Sequence, residues 1–292
     1  MNKEYDLIKY RKDILDTKSK SFCGAKWYNA TTWLGSGTTA SCHHPPAHKI
    51  PLHEIAADPS AIHNTQHKKA MRKMMQRGER PRECEYCWKV EDMGNDAVSD
   101  RVFKSIIYTN EDLKKAHEAD FNDNTLLKTF EIAFDRTCNL ACSYCNSSFS
   151  TTWAKDIKKH GPYQNMVSDG AAAFQHDGAW ADPYGKKEEN PYVTAFWDWW
   201  EDGLSESLEE LRVTGGEPLM SDQVWKLFDW FENNPSDMRF AVNSNLIAKE
   251  SIVDRLIEKS KGVKKFHLYT SCEATGKQAE YIRDGLDYEL WT

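Results

Sequence analysis

Three of the eight cysteines in this 292-residue chain share one short loop, Cys138-Asn-Leu-Ala-Cys142-Ser-Tyr-Cys145, directly after the alternating run Phe130 to Asp135. That alternation reads as a strand, which places the thiols at a strand end. Three thiolates on one tight loop can hold three irons of a cubane cluster and leave the fourth iron open to a substrate or cosubstrate. On spacing alone, a zinc loop completed by a distant residue and three buried thiols are the other readings. Cys23, Cys42, Cys84, Cys87 and Cys272 are the remaining five. The N-terminus has no apolar signal-peptide core, and no apolar run approaches the ~20 residues that span a bilayer. The chain is therefore expected to be cytoplasmic, without a membrane partner, and its thiols reduced and free for metal binding or catalysis.

The rest of the composition narrows the class. A hydrophobic fraction of 40% with 11 Trp, 12 Tyr and 12 Phe supplies a core for a chain long enough for two domains. The net charge of -7 argues against broad charge-driven nucleic-acid binding. A local exception is the basic run Lys68, Lys69, Arg72, Lys73, Arg77, Arg80 and Arg82, a solvated face or a dock for an acidic peptide or an RNA backbone.

Along the chain, residues 1–95 read as a small cysteine-bearing domain. Lys26 to Trp33 looks like a strand, Gly35-Ser36-Gly37 a turn, and Thr38 to Cys42 the returning strand, a hairpin that brings Cys23 and Cys42 together. Thr65 to Gln76 reads as a helix closed by Gly78. Residues 96–127 look like a polar linker with some helix. From 128 to 292, strand candidates at Phe130–Asp135, Leu208–Thr214, Met238–Asn243 and Lys264–Thr270 alternate with helices. One of these helices carries Val224, Leu227, Phe228 and Phe231 on a single face. This pattern predicts an α/β fold with a parallel sheet. The Gly-, Asp- and Asn-rich stretch at about 161–191 reads as an inserted loop. Trp197 to Trp200 reads as packing more than as a substrate platform, and Arg283 as a solvated helix residue more than as the partner of a carboxylate.

With these elements in place, the chain resembles the radical S-adenosylmethionine (SAM) superfamily. Its C-x3-C-x2-C loop with an aromatic before the last Cys matches Cys138, Cys142, Tyr144 and Cys145, and Thr214-Gly215-Gly216-Glu217-Pro218 at the second strand end is similar to its GGE motif. The resemblance implies a partial (βα) barrel holding a 4Fe–4S cluster on the three cysteines. It further implies SAM contacts from Gly215, Gly216 and Glu217, from Asn243-Ser244-Asn245 and from Ser271. Glycines allow close backbone approach, and Glu217 with the strand-end carbonyls offers acceptors to an ammonium group. Read as isolated motifs, Gly-Gly-Glu is a strand-to-helix turn and Asn-Ser-Asn an Asx-type turn. The implied reaction is reductive cleavage of SAM and hydrogen abstraction by the 5′-deoxyadenosyl radical, an oxidoreductase chemistry fed by an electron donor such as flavodoxin or ferredoxin. Cys272 is either a buried thiol or a reactive group facing the radical.

Cys23, Cys42, Cys84 and Cys87 form a complete four-thiolate set for a second 4Fe–4S cluster or for zinc. With Phe22-Cys23, the aromatic hairpin and the basic helix, this region resembles the auxiliary-cluster (SPASM or twitch) domains of peptide-modifying radical SAM enzymes, here preceding the barrel where such domains commonly follow it. A peptide or protein substrate is implied, with nucleotide or tRNA modification as a further reading. A six-stranded partial barrel would need two more βα units, so the core is expected to be C-terminally incomplete. A second chain completing the barrel, or a non-catalytic iron–sulfur or electron-transfer subunit, is the alternative function.

Overall fold

The computed structural model describes residues 6–94, 96–167, 172–184 and 189–292. The chain forms two compact units. The first comprises residues 1–32, 38–130 and 195–208; the second comprises 33–37, 131–194 and 209–292.

The first unit buries Phe22, Trp27, Met75, Trp88, Val102 and Leu113 in one core that also contains Cys23, Cys84 and Cys87. Strand β1 (Asn29–Trp33) begins later than the sequence suggests, because Ala25–Tyr28 is a helical turn. The physical reason is burial. Lys26, Trp27 and Tyr28 are consecutive and all buried, whereas a strand would send alternate side chains to opposite faces. Strand β2 (Thr38–Ala40) returns and pairs antiparallel with β3 (His48–Lys49). Helix Gln66–Gln76 is capped by the Thr65 hydroxyl, and Gly78 follows it at φ +79°.

Residues 96–127 are not a linker. Helices Asp100–Ser105 and Asn110–Glu118 place Val102, Leu113 and Ala116 in the same core, with Tyr108 between them. Their apolar residues are few but fall on one face, which the polar composition conceals. Segment 195–208 also belongs to this unit. Phe196 and Trp199 pack on Phe130 at 6.2 and 6.5 Å between ring centres, and Trp200 is fully buried. The tryptophans there are packing.

The second unit is mixed α/β. Its strands are β4 (Thr129–Ala133), β5 (Ala141–Cys142), β6 (Glu210–Thr214), β7 (Arg239–Asn243), β8 (Phe266–Tyr269) and β9 (Arg283–Asp284). The order is β4-β6-β7-β8, and β6–β7 and β7–β8 pair parallel, with Val213 opposite Val242 and Val242 opposite Leu268. Crossover helices Asp222–Asn233 and Glu250–Ser260 make that parallel pairing possible. Val224, Leu227, Phe228 and Phe231 are buried on one face of the first, and Phe231 stacks on Phe240 at 4.8 Å. Short β5 pairs antiparallel with β9, Cys142 opposite Arg283.

Within the 161–191 loop, residues 168–171 and 185–188 lie outside the described residues. The described part is anchored: Ser147 Oγ donates to the carbonyls of Ala173 and His176, and Arg136 Nη1 to that of Asp177. Among the described residues, no helix is long and apolar enough to cross a membrane.

Candidate functional site

The three-cysteine loop is held from below by the start of helix Thr151–His160. Thr152 Oγ1 donates to the Cys138 carbonyl at 2.7 Å, and Cys138 N donates to Thr151 Oγ1 at 3.1 Å. Trp153 Nε1 donates to the Cys142 carbonyl at 2.8 Å, and fully buried Ser150 donates to the Leu140 carbonyl at 2.6 Å while capping the helix. These bonds hold the loop's backbone, and the Cys145 thiol donates to the Asn146 carbonyl at 3.7 Å. Burial pushes the Cys138 thiol up, with Glu217 and Cys142 adding, and the Cys145 thiol up to about 11, with Cys142 and Cys138 adding. A cationic metal centre would reverse that.

Four segments converge on this loop. Glu217 N donates to the Thr137 carbonyl at 2.7 Å, Asn245 Nδ2 to Asn139 Oδ1 at 2.9 Å, Ser143 N to the Ile282 carbonyl at 2.8 Å, and Tyr144 OH to Glu273 Oε1 at 2.9 Å. The strand-end motifs are therefore assembled around Cys138, Cys142 and Cys145.

The two glycines serve this assembly directly. A Cβ on Gly216 would lie 2.3 Å from the Thr137 carbonyl oxygen and 2.7 Å from the Arg136 carbonyl carbon. Gly215, at φ +125°, would meet the Asp135 carbonyl oxygen at 2.8 Å. Their close approach is to the cysteine loop's own backbone. Glu217 is 3% exposed. Its Oε1 accepts from Ser244 Oγ at 2.6 Å and Leu219 N at 3.1 Å, and its Oε2 from Asn245 N at 2.7 Å. Ser244 and Asn245 also accept from Leu246 N and Ile247 N, the Asx-type turn geometry, and Asn243 is exposed.

Burial raises the Glu217 carboxyl above its ordinary range, against the pull of its hydrogen bonds. With the folded pKa above the unfolded one, the folded state holds the extra proton, so stability falls as pH rises from the unfolded value through the folded one. Glu217→Gln should flatten this slope, read from urea midpoints between acid and neutral pH, whatever its effect on the absolute midpoint.

Arg283 is buried, not solvated. It lies 3.7 Å from Glu273 and donates to the Ser271 carbonyl, because β9 carries it beside Cys142. Ser271, Cys272, Glu273, Arg283 and Trp291 line one shallow cavity. Cys272 is exposed, not a buried thiol.

In the first unit, Cys23, Cys42, Cys84 and Cys87 line a single cavity together with Lys26 and Arg101. Burial raises all four thiols, Cys84 to about 12. The two buried cations that line it are already paired, Lys26 with Glu83 and Arg101 with Asp16 and Glu91. Lys68 and Arg72, on the basic helix expected to face solvent, are 1% and 0% exposed. Their hydrogen-bond partners are neutral: Thr39 Oγ1, the Ala40 carbonyl and His63 for Lys68; the Lys26 carbonyl, Asn64 and His63 for Arg72. Burial lowers both, Arg72 to about 9. Burying such cations costs several kcal/mol each unless charge compensates. Lys68 and Arg72 are not among the residues lining the four-cysteine cavity, and four thiolates on one centre suit iron–sulfur and zinc alike. Among the described residues, the metal-ligand atoms found gathered within 4.8 Å belong to His43, His44 and Asp100, not to thiols.

Asn139, Thr151, Thr152, Trp153 and Glu273 escape sequence reasoning, since each acts on a partner remote in sequence or through the backbone. Lys68 and Arg72 left one signal: with Met75 they hold the i, i+4, i+7 positions of an inward stripe. Comparison with protein-family models, curated proteins and solved structures finds no match for this chain.

Proposed function

We propose that this chain is a radical SAM enzyme with an N-terminal auxiliary cluster, acting on a peptide or protein. The observation that carries the reading is the convergence of the Gly215-Gly216-Glu217, Ser244-Asn245 and Ser271–Glu273 segments on the three-cysteine loop. Cys138, Cys142 and Cys145 would hold a 4Fe–4S cluster with one open iron, and Cys23, Cys42, Cys84 and Cys87 a second cluster with every iron ligated. When bound, the first cluster and SAM supply the electron transfer and the hydrogen-abstracting radical. The chain's own residues orient. Glu217 sets the positions of Ser244 and Asn245, Thr151, Thr152 and Trp153 hold the loop, and Arg283 fixes the Ser271 segment. The gathering of Cys23, Cys42, Cys84 and Cys87 around one cavity supports the auxiliary cluster and with it the peptide or protein substrate. Anaerobic purification should give about eight irons with matching sulfide per chain. The reduced protein should cleave SAM to 5′-deoxyadenosine; about four irons plus one zinc would remove the auxiliary cluster, and no cleavage would remove the enzyme.

A second reading, a subunit that works with another chain, is favoured by β8. It ends the strand order, and its His267, Leu268 and Tyr269 are exposed. In that case SAM cleavage would appear only on adding the partner.

A further inference from the structure

His44 and Asp100 line the same cavity as Cys23, Cys42, Cys84 and Cys87, and with His43 their ligand atoms lie within 4.8 Å of one another. Both histidines turn Nε2 toward the same carboxylate oxygen: His43 Nε2 is 3.3 Å and His44 Nε2 2.7 Å from Asp100 Oδ2. Ligands bound at about 2.1 Å to one cation are separated by about 3.0 Å in octahedral and about 3.4 Å in tetrahedral geometry. The 3.3 Å edge falls within that range and the 2.7 Å edge about 0.3 Å short of it, so small side-chain shifts would seat an ion.

The group is also held in place. His44 is stacked on Tyr86, with ring centres 3.8 Å apart and planes 15° apart, and His43 lies 4.0 Å from His44. Asp100 is fixed at the start of helix Asp100–Ser105. The exposures grade outward: the His44 and Asp100 side chains are 15% and 32% exposed and His43 60%. One side of an ion here would thus face solvent and keep positions open for water or a further ligand. Lys104 lines the same cavity as His44 and Asp100, and its charge would weaken binding without filling the ligand positions.

We propose that His43, His44 and Asp100 form a mononuclear site for a divalent first-row transition metal such as zinc or iron(II), a two-histidine, one-carboxylate set with open positions. The site borders the cavity of the four cysteines but uses none of their thiols, and it does not rest on the radical SAM reading.

The test uses the full chain, anaerobically purified and freed of any affinity tag. It is dialysed against zinc alone, with zinc, iron and sulfide counted per chain and the zinc X-ray absorption edge recorded. One added zinc with a nitrogen and oxygen shell at about 2.0–2.1 Å is expected, with iron and sulfide unchanged. Asp100→Asn and His43→Ala should each weaken it about tenfold or more. His43 is exposed enough for its variant to fold normally. No added zinc, or zinc retained equally by both variants, would overturn the site and leave only hydrogen bonds to Asp100. Zinc in a sulfur shell at about 2.3 Å would also overturn it and would count instead against the auxiliary iron–sulfur cluster.

Discussion

Cys142→Ala should eliminate 5′-deoxyadenosine formation and remove about four of about eight irons, with the matching sulfide. The thiol is small and 8% exposed, and the Cys142 backbone keeps its partners, the carbonyl bonded to Trp153 and the strand pair to Arg283. The fold should therefore survive with a thermal midpoint within a few degrees of the parent chain. Cys84→Ala provides the contrast: it should remove the other four irons while the iron on the 138–145 loop stays. Iron lost from both centres in either variant would mean that the two cysteine sets do not act separately, against the two-cluster reading. Cleavage retained by Cys142→Ala would sink the assignment of that loop.

Gly216→Ala should be severely damaging. The added carbon would sit 2.3 Å from one backbone oxygen and 2.7 Å from the Arg136 carbonyl. No flexible side chain can yield there, so either the Gly-Gly-Glu turn or the segment before Cys138 must move. A loss of about 3 kcal/mol or more is expected, read as a lower urea midpoint or as insoluble protein. Gly78→Ala is the reference, since nothing lies within 4 Å of its Cβ position. That residue has φ +79°, so its variant should show the strain of a left-handed residue alone, about 1 kcal/mol. Equal losses at the two positions would mean that the close packing of Gly216 is relieved at no cost.

Much of this was legible along the sequence because it is local. The helix face of Val224, Leu227, Phe228 and Phe231 is a periodicity, the strand at 129–133 an alternation, and the C-x3-C-x2-C loop a spacing, each contained within a dozen residues. The capping Thr65 and the Gly78 stop are equally local. Charge at a given position was not legible. Lys68 and Arg72 look like surface residues by type, yet they are buried, because the fold delivers Thr39, the Ala40 and Lys26 carbonyls, Asn64 and His63 to their side chains. Arg283 is buried for the same kind of reason, beside Cys142 and Glu273.

The alternation of strands and helices, the grouping of thiols into four, three and one, and the chemistry those groups can support are all written in local spacing. The three-dimensional fold was needed to show that residues 96–127 complete the first core, that Gly215 and Gly216 are needed for contact with the cysteine loop, and that the Glu217 carboxyl is taken up by Ser244 and Asn245. It alone brought His43 and His44 to Asp100. The reason is range: propensity and periodicity act between residues a few positions apart, whereas a buried carboxylate or cation is satisfied by whichever group the fold delivers, often from a hundred residues away.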